Sequence, residues 1–280
     1  MDSTQKTIRL SDGAETTVET WGKRGPVMLC LHGMSSSRKS WERLADHFGE
    51  RYRVVAYDQR GHGDSAPFEG PMTLARSLRD LHDVMTEIGD PIDVLVGHSW
   101  GGAVALLAGD VVAQRVVAID PMLRQADGTW YAEFLEELAE IFAVEGEARD
   151  QRVRAVYADW PDIDRERKVH AVHTMRSAPI ERLRDENPEE TWQLVERTAA
   201  FPIPLLLALA DPSEGINGAE DVSALGSARN PNLEVRIFEG QGHSLHRTDF
   251  DRFCRTMDVF LRKTASDPTD KPGVGPDATA

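Results

Sequence analysis

Ser99 lies in the pentapeptide Gly97-His98-Ser99-Trp100-Gly101, a G-x-S-x-G spacing between the apolar run Ile92-Asp-Val-Leu-Val96 and an Ala/Leu/Val-rich segment. Two glycines flanking the turn allow a strand and a helix to approach closely, and the turn between them forces the serine into strained backbone geometry. Such a turn lifts a hydroxyl above a sheet at a helix N-terminus, where backbone N–H groups face a developing oxyanion. A serine hydroxyl is a weak nucleophile until a base removes its proton, and the base needs an orienting partner. Of nine histidines, His243 is the expected base, because it follows Gly240-Gln-Gly242 directly after the last apolar run; His246 ranks second. Two aspartates end apolar runs between the serine and this histidine. Asp211, in Leu209-Ala-Asp211-Pro212, is favoured as the acid, Asp120, in Ala118-Ile-Asp120-Pro121, is its rival, and Glu214 is a remote third. All keep the chain order serine, acid, histidine. The backbone amides of Met34 and Trp100 are the expected oxyanion donors, and both side chains are candidates to line the acyl pocket. His32, Gly33 and His98 are placed beside the substrate.

The elements that must position these groups can be read from periodicity. Strands are expected at Thr7–Leu10, Thr16–Trp21, Val27–Leu31, Val54–Tyr57, Ile92–Val96, Val116–Ile119, Pro204–Leu209 and Leu233–Phe238. Helices fall between them: one from Ser40 carrying Trp41, Leu44 and Phe48, one capped by Thr73 and running to Ile88, one near Ala219–Arg229, and one over Asp249–Lys263. Alternating strand and helix implies a doubly wound, mostly parallel eight-stranded sheet, in which functional residues gather at the carboxyl ends of the strands. Met34, Asp58, Ser99, Asp120, Asp211 and His243 all fall at such ends. The alternation stops after Pro121. Helical pieces at Trp130–Val144, Asp150–Trp160, Asp162–Arg176 and Glu189–Ala200, broken at Pro161, Pro179 and Pro188, form an inserted helical cap, 122–201, in a core of 1–121 and 202–264. From Ala265 the composition is that of a disordered tail.

Composition bounds the rest. At 280 residues the chain buries a large core, and its net charge of −15 disfavours nucleic acid and anionic membranes. The start, Met1-Asp-Ser-Thr-Gln-Lys6, has no apolar leader, and no run is long enough for a membrane span, so a cytoplasmic protein, monomer or homodimer, is expected. Cys30 and Cys254 read as buried free thiols. Gly61-His-Gly63-Asp-Ser-Ala66 matches a dinucleotide-binding spacing, but Pro67, Gly70 and Pro71 deny it the helix such a site needs. No cofactor is expected. His170 and His173 read as a helix face rather than a metal pair, and no metal is expected.

Taken together, His32-Gly33-Met34, Asp58-Gln-Arg60-Gly61-His62-Gly63-Asp-Ser65, Gly97-His98-Ser99-Trp100-Gly101-Gly102 and Gly242-His243 resemble the α/β-hydrolase fold superfamily over about Thr7 to Lys263. The resemblance implies a Ser99–His243–acid triad, an acyl-enzyme mechanism and a cap that shapes the pocket. Two departures concern the acid: the usual Gly-x-x-Asp reads Ala208-Leu-Ala-Asp211, and the gap to His243 is long. Branches with an aspartate nucleophile, such as epoxide hydrolases and dehalogenases, are excluded by Ser99. The expectation is a cofactor-independent serine hydrolase of a small to medium carboxylic ester or lactone. The same triad acting on a carbon–carbon bond of a β-diketone, or as a cofactor-free haloperoxidase or perhydrolase, is the alternative. A non-catalytic ligand receptor is the alternative of another class.

Overall fold

The computed structural model describes residues 1–65, 70–125, 128–175, 182–192 and 194–265. Eight strands form one sheet: β1 (Ser3–Arg9), β2 (Glu15–Trp21), β3 (Val27–Leu31), β4 (Arg53–Tyr57), β5 (Ile92–His98), β6 (Ala113–Ile119), β7 (Leu205–Ala210) and β8 (Leu233–Phe238). Their spatial order is β1-β2-β4-β3-β5-β6-β7-β8. β1 pairs antiparallel with β2, and β2 with β4, while every later pairing is parallel. The sheet is therefore doubly wound and mostly parallel, as the alternation predicts.

The central strands are apolar at nearly every position because helices cover both faces of a parallel sheet. Successive side chains point to opposite faces, and the core divides accordingly. Leu29, Leu31, Leu95, Ala118 and Leu207 belong to one buried cluster, whereas Met28, Cys30, Val94, Val96, Val117 and Leu206 belong to the other. On the first face lie α2 (Leu74–Ile88) and α3 (Trp100–Val112). On the second lie α1 (Glu42–Phe48) and the C-terminal helix Phe250–Lys263. Cys30 and Cys254 are both buried free thiols on that second face.

Local chemistry sets the element ends. The Thr73 side chain accepts from the Arg76 amide at 3.1 Å, capping α2, and Gly89 at φ +71° ends it in the left-handed conformation. β1 begins at Ser3, four residues earlier than hydrophobicity predicts, since its polar start is ordered by ladder pairing to Trp21 and its neighbours. The helix expected from Ser40 is a 3-10 turn, Arg38–Trp41, that passes into α1. Among the described residues no helix is long and apolar enough to cross a membrane. The residues 266–280, the dipeptide 66–67 of the glycine-rich loop and Pro179 lie outside the described residues.

Between β6 and β7 the described residues are mostly helical: α4 (Gly128–Phe142), α5 (Glu147–Val156) and α6 (Asp162–Thr174), then shorter helical pieces ending at Ala199. Ile141, Val153, Val169 and Val172 form a small core private to the first three helices. The later part packs differently. Leu183, Trp192, Leu194 and Val195 join the main cluster beneath the sheet, and Trp192 meets the Trp100 ring edge-on at 5.9 Å. Arg197 donates to the Leu106 and Leu107 carbonyls, in the middle of α3, at 2.8 and 3.1 Å. By packing, then, α4 to α6 share a small core of their own, while Tyr131 of α4, like the later residues, joins the main cluster.

Candidate active site

Ser99 joins β5 to α3 with φ +55° and ψ −118°, a conformation an L-residue adopts only under constraint. The constraint is close packing. A Cβ on Gly97 would stand 2.2 Å from the Gly101 carbonyl oxygen, and one on Gly101 would stand 2.3 Å from the Leu31 carbonyl oxygen. The Ser99 amide donates to the Ile119 carbonyl at 3.0 Å, which ties the turn to the end of β6. Trp100 opens α3, so its N–H is one of the first-turn donors that have no acceptor within the helix.

The loop after β3 closes on this turn. A Cβ on Gly33 would fall 2.9 Å from both the Ser99 Cβ and His98 Nδ1, so Met34 follows a backbone pressed against the serine. Two buried histidines hold the loop from below. His32 Nδ1 donates to the Gly33 carbonyl at 2.8 Å, and its Nε2 accepts from the Gln59 amide at 2.9 Å. His62 Nε2 accepts from the Ser35 amide at 3.2 Å. Burial pushes their pKa values down, to about 4 for His32 and about 3 for His62, so both stay neutral acceptors at ordinary pH. Farther along, fully buried Arg38 binds Glu19 at 3.0 Å, Asp64 at 2.9 Å and Asp58. The expectation that His32 lines the substrate pocket is corrected. It lies under the loop, with both nitrogens occupied by backbone.

The imidazole of His243 faces Asp120, not Asp211. Its Nδ1 donates to Asp120 Oδ2 at 2.7 Å. Asp120 is 1% exposed and held at φ +34°, which turns its carboxylate across the end of β7. Three further donors pin that carboxylate: Asn217 Nδ2 at 3.0 Å and the Ala210 amide at 3.3 Å on Oδ1, and the Ile216 amide at 3.4 Å on Oδ2. Asp211, favoured from sequence, has another task. Its carboxylate accepts from the Ser213 amide (3.0 Å) and hydroxyl (2.8 Å) and from the Gly240 amide (2.9 Å). The Gly240 and Ser213 hydrogen bonds hold its pKa below the usual aspartate value. Asp211 thus anchors the loop that carries His243 and makes no contact with the ring. Glu214 is exposed at the cavity rim.

His98, inside the turn, donates from Nε2 to the His243 carbonyl at 3.0 Å and stacks between His243 (4.6 Å) and His246 (4.4 Å). Burial drives the pKa of His98 and His246 well below the normal range, so neutral rings back the one that faces Asp120. His246 is buried behind this stack and does not line the cavity.

Ser99, His243, His98 and Met34 share a cavity of about 860 Å³. α4 contributes Trp130, Tyr131, Phe134 and Glu137 to its wall, and α6 contributes Lys168. Trp100 does not line it: the indole is fully buried, with Nε1 donating to Ser77 Oγ at 3.1 Å. Of the two side chains expected in the pocket, only Met34 is there. Neither Asn217, Lys168 nor Arg247 was singled out in sequence, because isolated polar residues on helices and loops carry no periodic signal.

A family model described as "Alpha/beta hydrolase family" matches residues 28–256. The chain belongs to the alpha/beta hydrolase family. Lipase LipV of Mycobacterium tuberculosis is 32% identical to this chain over 163 residues, which are 55% of this chain and 61% of that one. Epoxide hydrolase 4 of Mus musculus is 42% identical over 89 residues, covering 31% of this chain and 25% of its own length. The matched stretches thus span less than two thirds of these relatives. Among solved structures, the enol-lactonase from Burkholderia xenovorans LB400 superposes with a TM-score of 0.72 at 17% identity, covering 92% of this chain and all of that one. At that identity the likeness is one of fold.

Proposed function

We propose that the protein is a serine hydrolase that cleaves a small to medium carboxylic ester or lactone through an acyl-enzyme. The observation that carries this reading is the 2.7 Å hydrogen bond from His243 Nδ1 to buried Asp120, beside a strained Ser99 on the same cavity. With Nδ1 committed as donor, Nε2 is the nitrogen free to accept a proton. In the reaction proposed, Ser99 Oγ attacks the carbonyl carbon as Nε2 takes its proton. The imidazolium, stabilised by Asp120, then protonates the leaving oxygen, and the carbonyl reforms as the acyl-serine. Water activated by the same nitrogen attacks the acyl-serine; the acid departs and Ser99 regains its proton. The Met34 and Trp100 amides are assigned to the oxyanion. Donors of that kind are worth about 2.7–4 kcal/mol each in the transition state. The helices between β6 and β7 act as a cap that selects substrates, since α4 supplies five residues to the cavity wall and α6 adds Lys168.

The test is turnover of a series of 4-nitrophenyl esters of rising acyl length, run beside fluorophosphonate labelling and the Ser99→Ala variant. Turnover and labelling that both vanish in a folded Ser99→Ala protein are expected. Hydrolysis retained by that variant would sink the mechanism.

A further inference from the structure

Two cations lie on the cavity wall in a setting that the proposed acyl chemistry does not use. Lys168, on α6, is 6% exposed, and Arg247, on the turn Leu245–Thr248 just after His243, is 4% exposed; both line the cavity that holds Ser99. Lys168 Nζ donates to the Ser35 carbonyl at 3.0 Å and to its hydroxyl at 2.6 Å, and lies 4.8 Å from the Tyr157 ring centre. Arg247 donates to the Ser36 hydroxyl at 3.2 Å, stacks over Trp160 at 4.6 Å, and leaves its Nε without a partner among the described residues.

Their pairing is incomplete. The carboxylate nearest Arg247 is that of Asp164, 3.9 Å away, and its other oxygen already binds Arg43 at 2.6 Å. Lys168 has no carboxylate within ion-pair distance among the described residues, although Glu137, which accepts from the Tyr157 hydroxyl, shares the cavity. Arg247 thus shares Asp164 with Arg43, and Lys168 has only the more distant Glu137, so neither buried cation on the cavity wall has a carboxylate to itself. Glu133, Asp159 and Glu214 line the same cavity but are exposed to solvent. Burying a cation without a carboxylate of its own is costly, and contact with two serines does not require it.

We propose that Lys168 and Arg247 form an anion subsite that binds a carboxylate carried by the substrate away from its scissile bond. Resting on the serine hydrolase reading, this makes the substrate class a half-ester or a lactone acid rather than a neutral ester. Arginine supplies a planar fork and lysine a point charge, a combination suited to one carboxylate. Burial also pushes the Lys168 pKa down to about 8, a shift that an anion beside it would reverse.

The test has two readouts. The first is calorimetric binding of monomethyl glutarate to the Ser99→Ala protein, repeated with Lys168→Met or Arg247→Gln added; thermal melting checks that each variant folds. Saturable binding weakened about tenfold or more by each substitution is expected, because each removes a charge-assisted contact. The second is the kcat/KM ratio of 4-nitrophenyl hydrogen glutarate to its neutral methyl-capped analogue. A ratio above one that collapses in both variants supports the subsite. If the two cations merely brace the Ser35–Ser36 backbone, both esters lose rate equally and the ratio stays fixed, which overturns it. No saturable binding also overturns it. Binding that depends on both cations, with no ester turnover, supports the subsite and counts against the hydrolase reading alone.

Discussion

Replacing Asp120 with Asn is the perturbation whose outcome the geometry fixes most tightly. Oδ1 of Asp120 accepts from two donors, the Asn217 side chain at 3.0 Å and the Ala210 amide at 3.3 Å. An amide NH2 cannot take that place, so the asparagine oxygen must occupy it. The NH2 is then forced into the Oδ2 position, 2.7 Å from His243 Nδ1. There it donates where the carboxylate accepted. The ring must respond by placing its proton on Nε2, the atom that should take the Ser99 proton. A wrong-tautomer change of this kind costs about 10⁴ in kcat, or roughly 5.5 kcal/mol of activation free energy. Asp211→Asn keeps one acceptor oxygen for Ser213 or Gly240 and leaves the imidazole partner untouched, so it should lose less than about tenfold. The assay is initial rate on one short-chain 4-nitrophenyl ester, with melting temperatures to show that both variants fold. Asp120→Asn within tenfold of wild type, or Asp211→Asn as damaging as the Asp120 change, would refute the assignment.

Further expectations concern stability. Ser99→Gly should raise the melting temperature, since it releases a backbone strain worth about 1–3 kcal/mol; an unchanged or lower value by scanning calorimetry would contradict the strain argument. Gly101→Ala, whose Cβ would meet the Leu31 carbonyl at 2.3 Å, should abolish soluble folded protein. By contrast, Gly226→Ala, with open space around it, should be neutral or stabilising by about 0.4–1 kcal/mol in urea titration. Arg38→Met leaves Glu19 and Asp58 buried without their cation and should cost about 3–5 kcal/mol. For pH, His62 has its folded pKa pushed from 6.5 to about 3 by burial. The unfolded chain therefore binds protons first, and stability should fall as pH drops below 6.5 toward 3. His62→Gln should flatten that decline, read as urea midpoints at pH 7 and pH 5.

The doubly wound, mostly parallel sheet and the covering of both its faces follow from what is visible in sequence: unbroken apolar runs such as Val27–Leu31, and amphipathic helices such as the one with a readable cap at Thr73. The Ser99 turn was equally legible, because glycine spacing reports directly on close backbone approach. The partner of His243 was not. Asp120 and Asp211 both end strands, on neighbouring β6 and β7, and what separates them is a backbone rotation at Asp120 and donors from Ala210, Ile216 and Asn217 that no local pattern encodes. The missing glycine before Asp211 and the long gap to His243 were the available hints. His32 and Trp100 misled for a related reason. A residue that carries or lies near a proposed oxyanion amide can point its side chain the other way, and both do, one beneath the loop and one into the helix layer.

Of the three groups in the proposed triad, two are bolted to adjacent strands. Ser99 hangs from the Ile119 carbonyl and Asp120 from the Ala208 carbonyl, so their separation is set by the sheet itself. His243 instead arrives on a loop whose tether includes Asp211 on Gly240. Heat or denaturant should reach that loop first, because it can open without disturbing the sheet. The protein is then expected to fall silent below its melting point and to recover on cooling, with reversible dormancy as the first consequence of stress and collapse only the second.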